Sequence, residues 1–149
     1  MTRYHLLINN HFNGSRGATN QEGLHMATRA TYQFKTGYTA ATVYIHWDGY
    51  LAGAAHYFNE ALGAWKANQK RNVISSLFAC FVYANDQATM TEGHEAHGDT
   101  DFRYDIEYKE GNYLLKAYKR VSYSSEEFEL VFIGSLDDFI ANHLMDEAA

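Results

Sequence analysis

The sequence predicts an α+β domain in which an antiparallel sheet carries helices on one face. Two groups of segments, residues 30–48 and 102–133, alternate apolar and polar side chains as strands do. Residues 54–84 and 136–144 instead repeat apolar side chains at helical spacing. Short turns join the strands within each group, and such turns connect antiparallel neighbours. Strands grouped before and after helices are typical of the α+β class.

The first strand group predicts a β-hairpin. Ala30, Tyr32 and Phe34 are apolar, and the residues between them are polar. Residues 35–38 supply a turn, and a second strand over residues 41–48 returns. The outer face of this hairpin carries Arg29, Tyr44 and His46.

The middle of the chain predicts two helices and a long loop. The apolar stripe of the first helix consists of Ala54, Tyr57, Phe58, Ala61, Leu62 and Trp65. This helix should end around residues 68–71. A second stripe over residues 73–81 predicts a more buried helix that reaches about residue 84, although a buried strand also fits this segment. Residues 85–101 are polar and broken by glycine, which is typical of a functional or flexible loop.

The last third predicts a three-stranded meander and a terminal helix. A turn at residues 109–112 joins the strand over 102–108 to the strand over 113–121. If Tyr108 faces Tyr113, apolar residues face apolar ones and Asp105 faces Lys116, which supports this register. Residues 127–133 add a strand. Ser135 then caps a helix with a buried stripe over residues 136–144.

Composition restricts the classes of function. The net charge of −6 argues against binding of a nucleic-acid backbone, which needs a basic surface. The chain has 12 tyrosines, more than a core of this size holds, so several should be exposed and available for recognition. Cys80 is the single cysteine, and we expect a buried thiol with no role in a disulfide or a zinc site.

The sequence contains no segment typical of membranes or secretion. No apolar run approaches the roughly 18 residues that span a bilayer. The N-terminus lacks the basic, apolar and small-residue order of a secretory signal. We therefore expect a cytoplasmic protein with no membrane partner.

Residues 1–25 differ from the rest of the chain. They are rich in Asn, Gly, Ser, Thr and Gln and show no periodicity. Codons for Gln21, Glu22 and Gly23 can spell a purine-rich ribosome-binding site shortly before Met26. One interpretation is a translated leader over residues 1–25 with a natural start at Met26 and a single domain over 26–149. The other is an ordinary flexible terminus that begins at Met1.

The first candidate site lies where the second strand meets the first helix. Imidazole, carboxylate and aromatic side chains stand there beside the free N–H groups of a helix start, and Arg29 faces them from the neighbouring strand. The predicted ligand-binding residues are Arg29, Tyr44, His46, Asp48 and Tyr50. Proton transfer or the binding of an anion such as phosphate would suit this set. A purely structural role, with Asp48 in a turn and Trp47 in the core, is the alternative.

The second candidate site is the polar loop. His94, His97 and Asp99 offer imidazole and carboxylate ligands of the kind that bind Zn²⁺ or another divalent ion. An open position on such a metal would activate water for hydrolysis. The alternative is a solvated loop without any cofactor, in which these side chains cap turns.

Three motifs occur between residues 26 and 104. They are Met26-Ala-Thr-Arg-Ala-Thr-Tyr32, His46-Trp-Asp-Gly-Tyr50 with Gly53-Ala-Ala55, and His97-Gly-Asp-Thr-Asp-Phe-Arg-Tyr104. With these motifs the chain resembles a set of small, mostly uncharacterised proteins of phages and prophages. The resemblance covers residues 26–149 and brings no catalytic residues. Those proteins commonly have Pro-Glu where this chain has Leu51-Ala52, a difference that affects the turn before the helix.

Three functions are expected, in this order. The first is a non-enzymatic phage-type accessory protein that binds a host protein or ribonucleoprotein complex, such as an anti-CRISPR-like inhibitor of a bacterial defence system. The resemblance implies the phage origin of such a protein. Its tyrosines would supply contact anchors. The second is a nucleotide or small-molecule binding protein that uses the first candidate site. The third is a small metal-dependent hydrolase that uses the second.

Overall fold

The computed structural model describes residues 27–35, 37–68 and 74–148. The proposed leader over residues 1–25 lies outside them. The elements, in chain order, are β1 (Ala30–Lys35), β2 (Ala40–Ile45), α1 (Leu51–Ala67), α2 (Ile74–Ala84), β3 (Thr89–Thr91), a 3₁₀ turn (His94–Ala96), β4 (Phe102–Lys109), β5 (Asn112–Arg120), β6 (Phe128–Ser135) and α3 (Leu136–Ala148). None of the described helices is both long and apolar enough to cross a membrane.

The strands form one six-stranded sheet in the order β3-β2-β1-β4-β5-β6. This confirms the α+β class, with two differences from the prediction. A short strand, β3, pairs with the free edge of β2 inside the segment predicted to be a loop. In addition, β1 and β4 are parallel, so the sheet is mostly rather than fully antiparallel. The chain reaches β4 through a long crossover, and crossovers of this kind join parallel strands.

The predicted register between β4 and β5 is confirmed. Tyr108 pairs with Tyr113, and Asp105 pairs with Lys116. The turn is tighter than predicted, because Lys109 pairs directly with the first residue of β5. Its two central residues, Glu110 and Gly111, have φ angles of 52° and 84°. Positive φ at both positions is the type I′ turn that suits the twist of a two-residue hairpin.

Aromatic rings connect the sheet to the helices. Tyr32 of β1 stacks on Tyr104 of β4 at 4.8 Å between ring centroids and also contacts Phe58 of α1 and Phe81 of α2. Tyr104 contacts Phe139 of α3. One alternating set of strand residues makes these core contacts. We call the surface formed by the other set, which includes Thr31, Tyr44, Arg103, Asp105 and Tyr118, the polar face.

Two tight backbone contacts fix the start of α1. Asp48 has a φ angle of 56°, and the amide of Gly49 donates a hydrogen bond of 2.8 Å to the carbonyl of Thr28. A Cβ atom at Gly53 would overlap the carbonyl oxygen of Asp48. Residues 48 and 49 are therefore packed tightly between the start of β1 and the first turn of α1. This packing sets the position of the residues that follow β2.

A pair of glycine substitutions tests this contact. Gly53→Ala should lower the free energy of unfolding by about 1–3 kcal/mol, because the backbone of Asp48 must move. Gly63→Ala, in the same helix with open space at its Cβ position, should raise it by about 0.5–1 kcal/mol through helix propensity. Urea denaturation measures both. Equal effects would contradict the described contact.

The stacked tyrosines offer a second matched pair. The Tyr104 hydroxyl donates to the carbonyl of Gly49 at 2.6 Å, whereas the buried Tyr32 hydroxyl has no acceptor among the described residues. Tyr104→Phe should therefore destabilise the fold by about 1–3 kcal/mol, and Tyr32→Phe should be neutral or stabilising by up to about 1 kcal/mol. Thermal unfolding distinguishes them. A loss in Tyr32→Phe as large as that in Tyr104→Phe would disprove the assignment.

Candidate functional site

The segment over residues 92–101, which we call the crossover segment, joins β3 to β4. Because β2 and β1 lie between those strands, the segment must pass across both of them. Its side chains contact the polar face, where His94 lies on Thr31 and His97 lies on Tyr44. Thr31 and Tyr44 are themselves partners in the β1–β2 ladder. The two candidate sites, which are separate in the sequence, therefore lie together in space.

Five residues form what we call the Tyr44 cluster, namely Arg29, Tyr44, His46, His97 and Asp99. Arg29 Nε lies 3.2 Å from Asp99 Oδ2 and 3.4 Å from His46 Nδ1. The Tyr44 hydroxyl donates to Asp99 Oδ2 at 3.3 Å and lies 3.2 Å from His46 Nδ1. The Tyr44 and His97 rings stack at 4.1 Å. Each member thus contacts at least one other member.

The cluster stays accessible while its groups hold one another in place. The Asp99 side chain is 53% exposed and that of Arg29 is 21% exposed. Burial and the Asp99 carboxylate raise the pKa of Tyr44, and Arg29 partly offsets this. The phenol is therefore protonated at neutral pH and acts as a hydrogen-bond donor. The arrangement presents one cation, one carboxylate and three rings on a single surface.

Trp47 extends this surface, whereas the structural alternative placed it in the core. The residue is 50% exposed and meets His46 edge-on at 4.8 Å. The reason is that β2 ends at Ile45, so the alternation of a strand no longer applies. The other two predicted ligand-binding residues lie beyond the strand as well. Asp48 is exposed in the tight turn, and Tyr50 precedes α1 with 40% exposure.

His94 connects the crossover segment to the sheet and is itself buried. Its Nδ1 lies 2.6 Å from the Thr31 hydroxyl and its Nε2 lies 2.7 Å from Asp105 Oδ1. The second oxygen of Asp105 accepts a hydrogen bond from Lys35 at 3.2 Å. Both ring nitrogens of His94 therefore have protein partners. Sequence reasoning missed Thr31 and Asp105 as these partners, because only the parallel pairing of β1 with β4 brings them together.

The predicted metal ligands contact other side chains rather than converging on one point. His94 binds Thr31 and Asp105, His97 stacks on Tyr44, and Asp99 pairs with Arg29. In the part of the chain that the structure describes, no three His, Cys, Asp or Glu side chains are arranged to hold a metal ion. The geometry thus gives no support to the divalent-metal alternative.

Comparisons with protein-family models, curated proteins and solved structures give no match. The resemblance to phage and prophage proteins therefore stays a prediction from the sequence, and the function must be argued from the site.

The Asp105 contact predicts acid sensitivity. Burial raises the pKa of Asp105, but the hydrogen bond and charge of His94, with Lys35, outweigh it and lower this pKa overall. A lowered folded-state pKa means that the carboxylate stabilises the fold above its ordinary pKa of about 4, and that this contribution is lost as the pH falls further. Below about pH 4, the free energy of unfolding should therefore fall less steeply in Asp105→Asn than in the wild type.

Denaturation curves between acid and neutral pH measure this difference. Asp86→Asn is the control, because Asp86 is exposed in the turn after α2, and it should keep the wild-type slope. The same acid slope in Asp105→Asn and the wild type would show that the contact does not stabilise the fold.

Proposed function

We propose that this chain is a non-enzymatic accessory protein of phage type that binds a host protein or ribonucleoprotein complex in the bacterial cytoplasm. Its binding surface consists of the Tyr44 cluster and Trp47. The observation that supports this most is the convergence of Trp, Tyr, His and Arg side chains on one accessible part of the polar face. Trp, Tyr and Arg are the residue types that dominate binding energy at protein interfaces.

The internal contacts of the cluster favour binding. Arg29 and Tyr44 are both held by Asp99, and the ring of Tyr44 is supported by His97. Side chains that are already ordered lose little rotamer freedom when a partner docks. The surface is thus prepared for contact without any rearrangement of the sheet.

Two cavities among the described residues are small for a nucleotide or another small molecule. The structure has a cavity of about 210 Å³ beside Lys116 and Ile133, and one of about 190 Å³ between Trp65 and Gly111. Both are smaller than typical ligand pockets of about 300–1,000 Å³. Neither is lined by a member of the Tyr44 cluster.

The biological role that we propose is inhibition of a bacterial defence system. The support for it is the sequence resemblance to phage and prophage proteins, together with the net charge of −6. An acidic protein is steered towards basic surfaces, and proteins that bind nucleic acids have such surfaces. A defence complex that binds nucleic acid is therefore a partner of suitable charge.

Trp47→Ala tests the binding surface. The partner would be recovered from host lysate with the wild-type chain, and its dissociation constant measured by calorimetry. Loss of this exposed tryptophan should weaken binding at least about thirtyfold, as expected of a hot spot worth about 2 kcal/mol. Phage that carry the Trp47→Ala variant should also form fewer plaques than wild-type phage on a bacterial strain with the defence system.

Tyr83→Ala is the matched control, because Tyr83 is an 82% exposed aromatic residue on α2. It should bind like the wild type. Failure to recover a stoichiometric partner, or equal affinity of the two variants, would contradict the proposal.

A further inference from the structure

Arg103 of β4 is a partly buried cation with few acceptors. Its side chain is 20% exposed, and its guanidinium carbon lies 4.0 Å from the centre of the Phe128 ring. The Nε atom is buried and has no hydrogen-bond acceptor among the described residues. The nearest carboxylate oxygen, on Glu95, is 3.8 Å from Nη1, and that side chain is 86% exposed. Arg103 therefore retains unused donors.

Arg120 shows how a guanidinium is satisfied in the same place. Its carbon lies 4.8 Å from the centre of the same Phe128 ring. Its nitrogens donate to the carbonyl oxygens of Thr100, Ser125 and Gly98 at 2.5–2.7 Å. Of two arginines on one ring, Arg120 has an acceptor at every nitrogen, whereas Arg103 has none at Nε. An unpaired donor on a buried charged group costs more than one on a neutral group.

The charges around Arg103 favour an added anion. Burial lowers the pKa of Arg103, Glu95 raises it, and Arg120 lowers it, with smaller raising effects of Asp105 and Glu126. The net result is a lowered pKa, although a guanidinium stays charged at neutral pH. Arg103 thus lies beside a second cation, while its own ion pair with the exposed Glu95 is long, at 3.8 Å. An added oxyanion on the guanidinium would offset this repulsion.

The residues beside Arg103 define what kind of molecule fits. Arg103 pairs with Tyr118 of β5, and Tyr118 pairs with Leu130 of β6. Leu130 is 50% exposed, and Ile133 further along the same edge strand is 63% exposed. A cation, an aromatic ring and an aliphatic side chain therefore follow one another in a row that ends at the edge of the sheet.

We propose that Arg103 binds a carboxylate of an acidic peptide segment whose apolar neighbours contact Tyr118 and Leu130, and that Glu95 occupies this position in the free protein. A planar carboxylate matches the fork of a guanidinium. A nucleic-acid backbone is disfavoured because its repeated phosphates need an extended basic surface, whereas Arg103 is a single cation and the neighbouring Arg120 already donates to three carbonyl oxygens. That the segment belongs to the host partner rests on the proposed function, whereas the anion site itself does not.

The test uses the full chain, labelled with ¹⁵N, and a blocked peptide acetyl-Leu-Glu-Val-Glu-Leu-amide. The Nε–Hε signal of Arg103 in NMR spectra should shift and saturate as this peptide is added, and should not shift with the matched Gln peptide. Glu95→Gln should bind the peptide about two- to fivefold more tightly, because a weak surface ion pair no longer competes. Glu110→Gln, in the β4–β5 turn, should bind like the wild type.

Arg103→Lys keeps the charge but loses the fork, and should bind at least about tenfold more weakly. If this variant does not fold, the Glu95→Gln titration still decides the question. An unmoved Arg103 signal, equal affinity of Glu95→Gln and the wild type, or saturation by inorganic phosphate but not by the peptide would each overturn the proposal. Trp47→Ala should bind the peptide normally, so failure of the anion site and failure of the Tyr44 surface can be distinguished.

Discussion

His94 is the contact on which the arrangement of the polar face depends. Its two ring nitrogens bind Thr31 of β1 and Asp105 of β4, which are the two parallel strands at the centre of the sheet. The crossover segment leaves β3 at one edge and must enter β4 beyond β2 and β1. Such a crossing covers polar strand residues, and covered polar groups need hydrogen-bond partners. His94 supplies them for Thr31 and Asp105 at once.

Fixing His94 also fixes two carboxylates that follow it in the chain. Glu95 comes directly after it and reaches Arg103, while Asp99 reaches Arg29. One short segment therefore places an acidic side chain on Arg103 of β4 and another on Arg29, just before β1. The resulting row across the polar face runs Tyr44, Thr31, Arg103, Tyr118 and Leu130 over five consecutive strands. The crossover segment covers the first part of this row and leaves the last part open.

The sequence could predict the features that depend on local pattern. Alternation and charge pairing predicted the register of β4 with β5, and helical spacing predicted α1 and the buried face that contains Phe58. The parallel pairing of β1 with β4 could not be predicted in this way, because neither strand carries a signal for a neighbour about 70 residues away. The partners of His94 depend on that pairing and were missed with it.

Proximity along the chain was the basis of the second candidate site. His94, His97 and Asp99 lie within six residues of one another, so they resemble a set of metal ligands. The chain turns between them, so that His94 contacts Thr31 and Asp105, whereas His97 and Asp99 contact Tyr44. The core position of Trp47 in the structural alternative was wrong because the strand predicted over residues 41–48 ends at Ile45.

Two buried polar groups without described acceptors, the Tyr32 hydroxyl and Arg103 Nε, have different explanations. The Tyr32 ring stacks on Tyr104 and contacts two helices. These aromatic contacts in the core offset the cost of burying its hydroxyl without an acceptor. Arg103 lies on the polar face, where its contact with the Phe128 ring stabilises the cation but gives Nε no acceptor. The aromatic contact therefore accounts for the tyrosine in full and for the arginine only in part. We understand the remaining, unsatisfied part of this charge as kept for a ligand, and the weak contact with the exposed Glu95 indicates a carboxylate as the group that the ligand would bring.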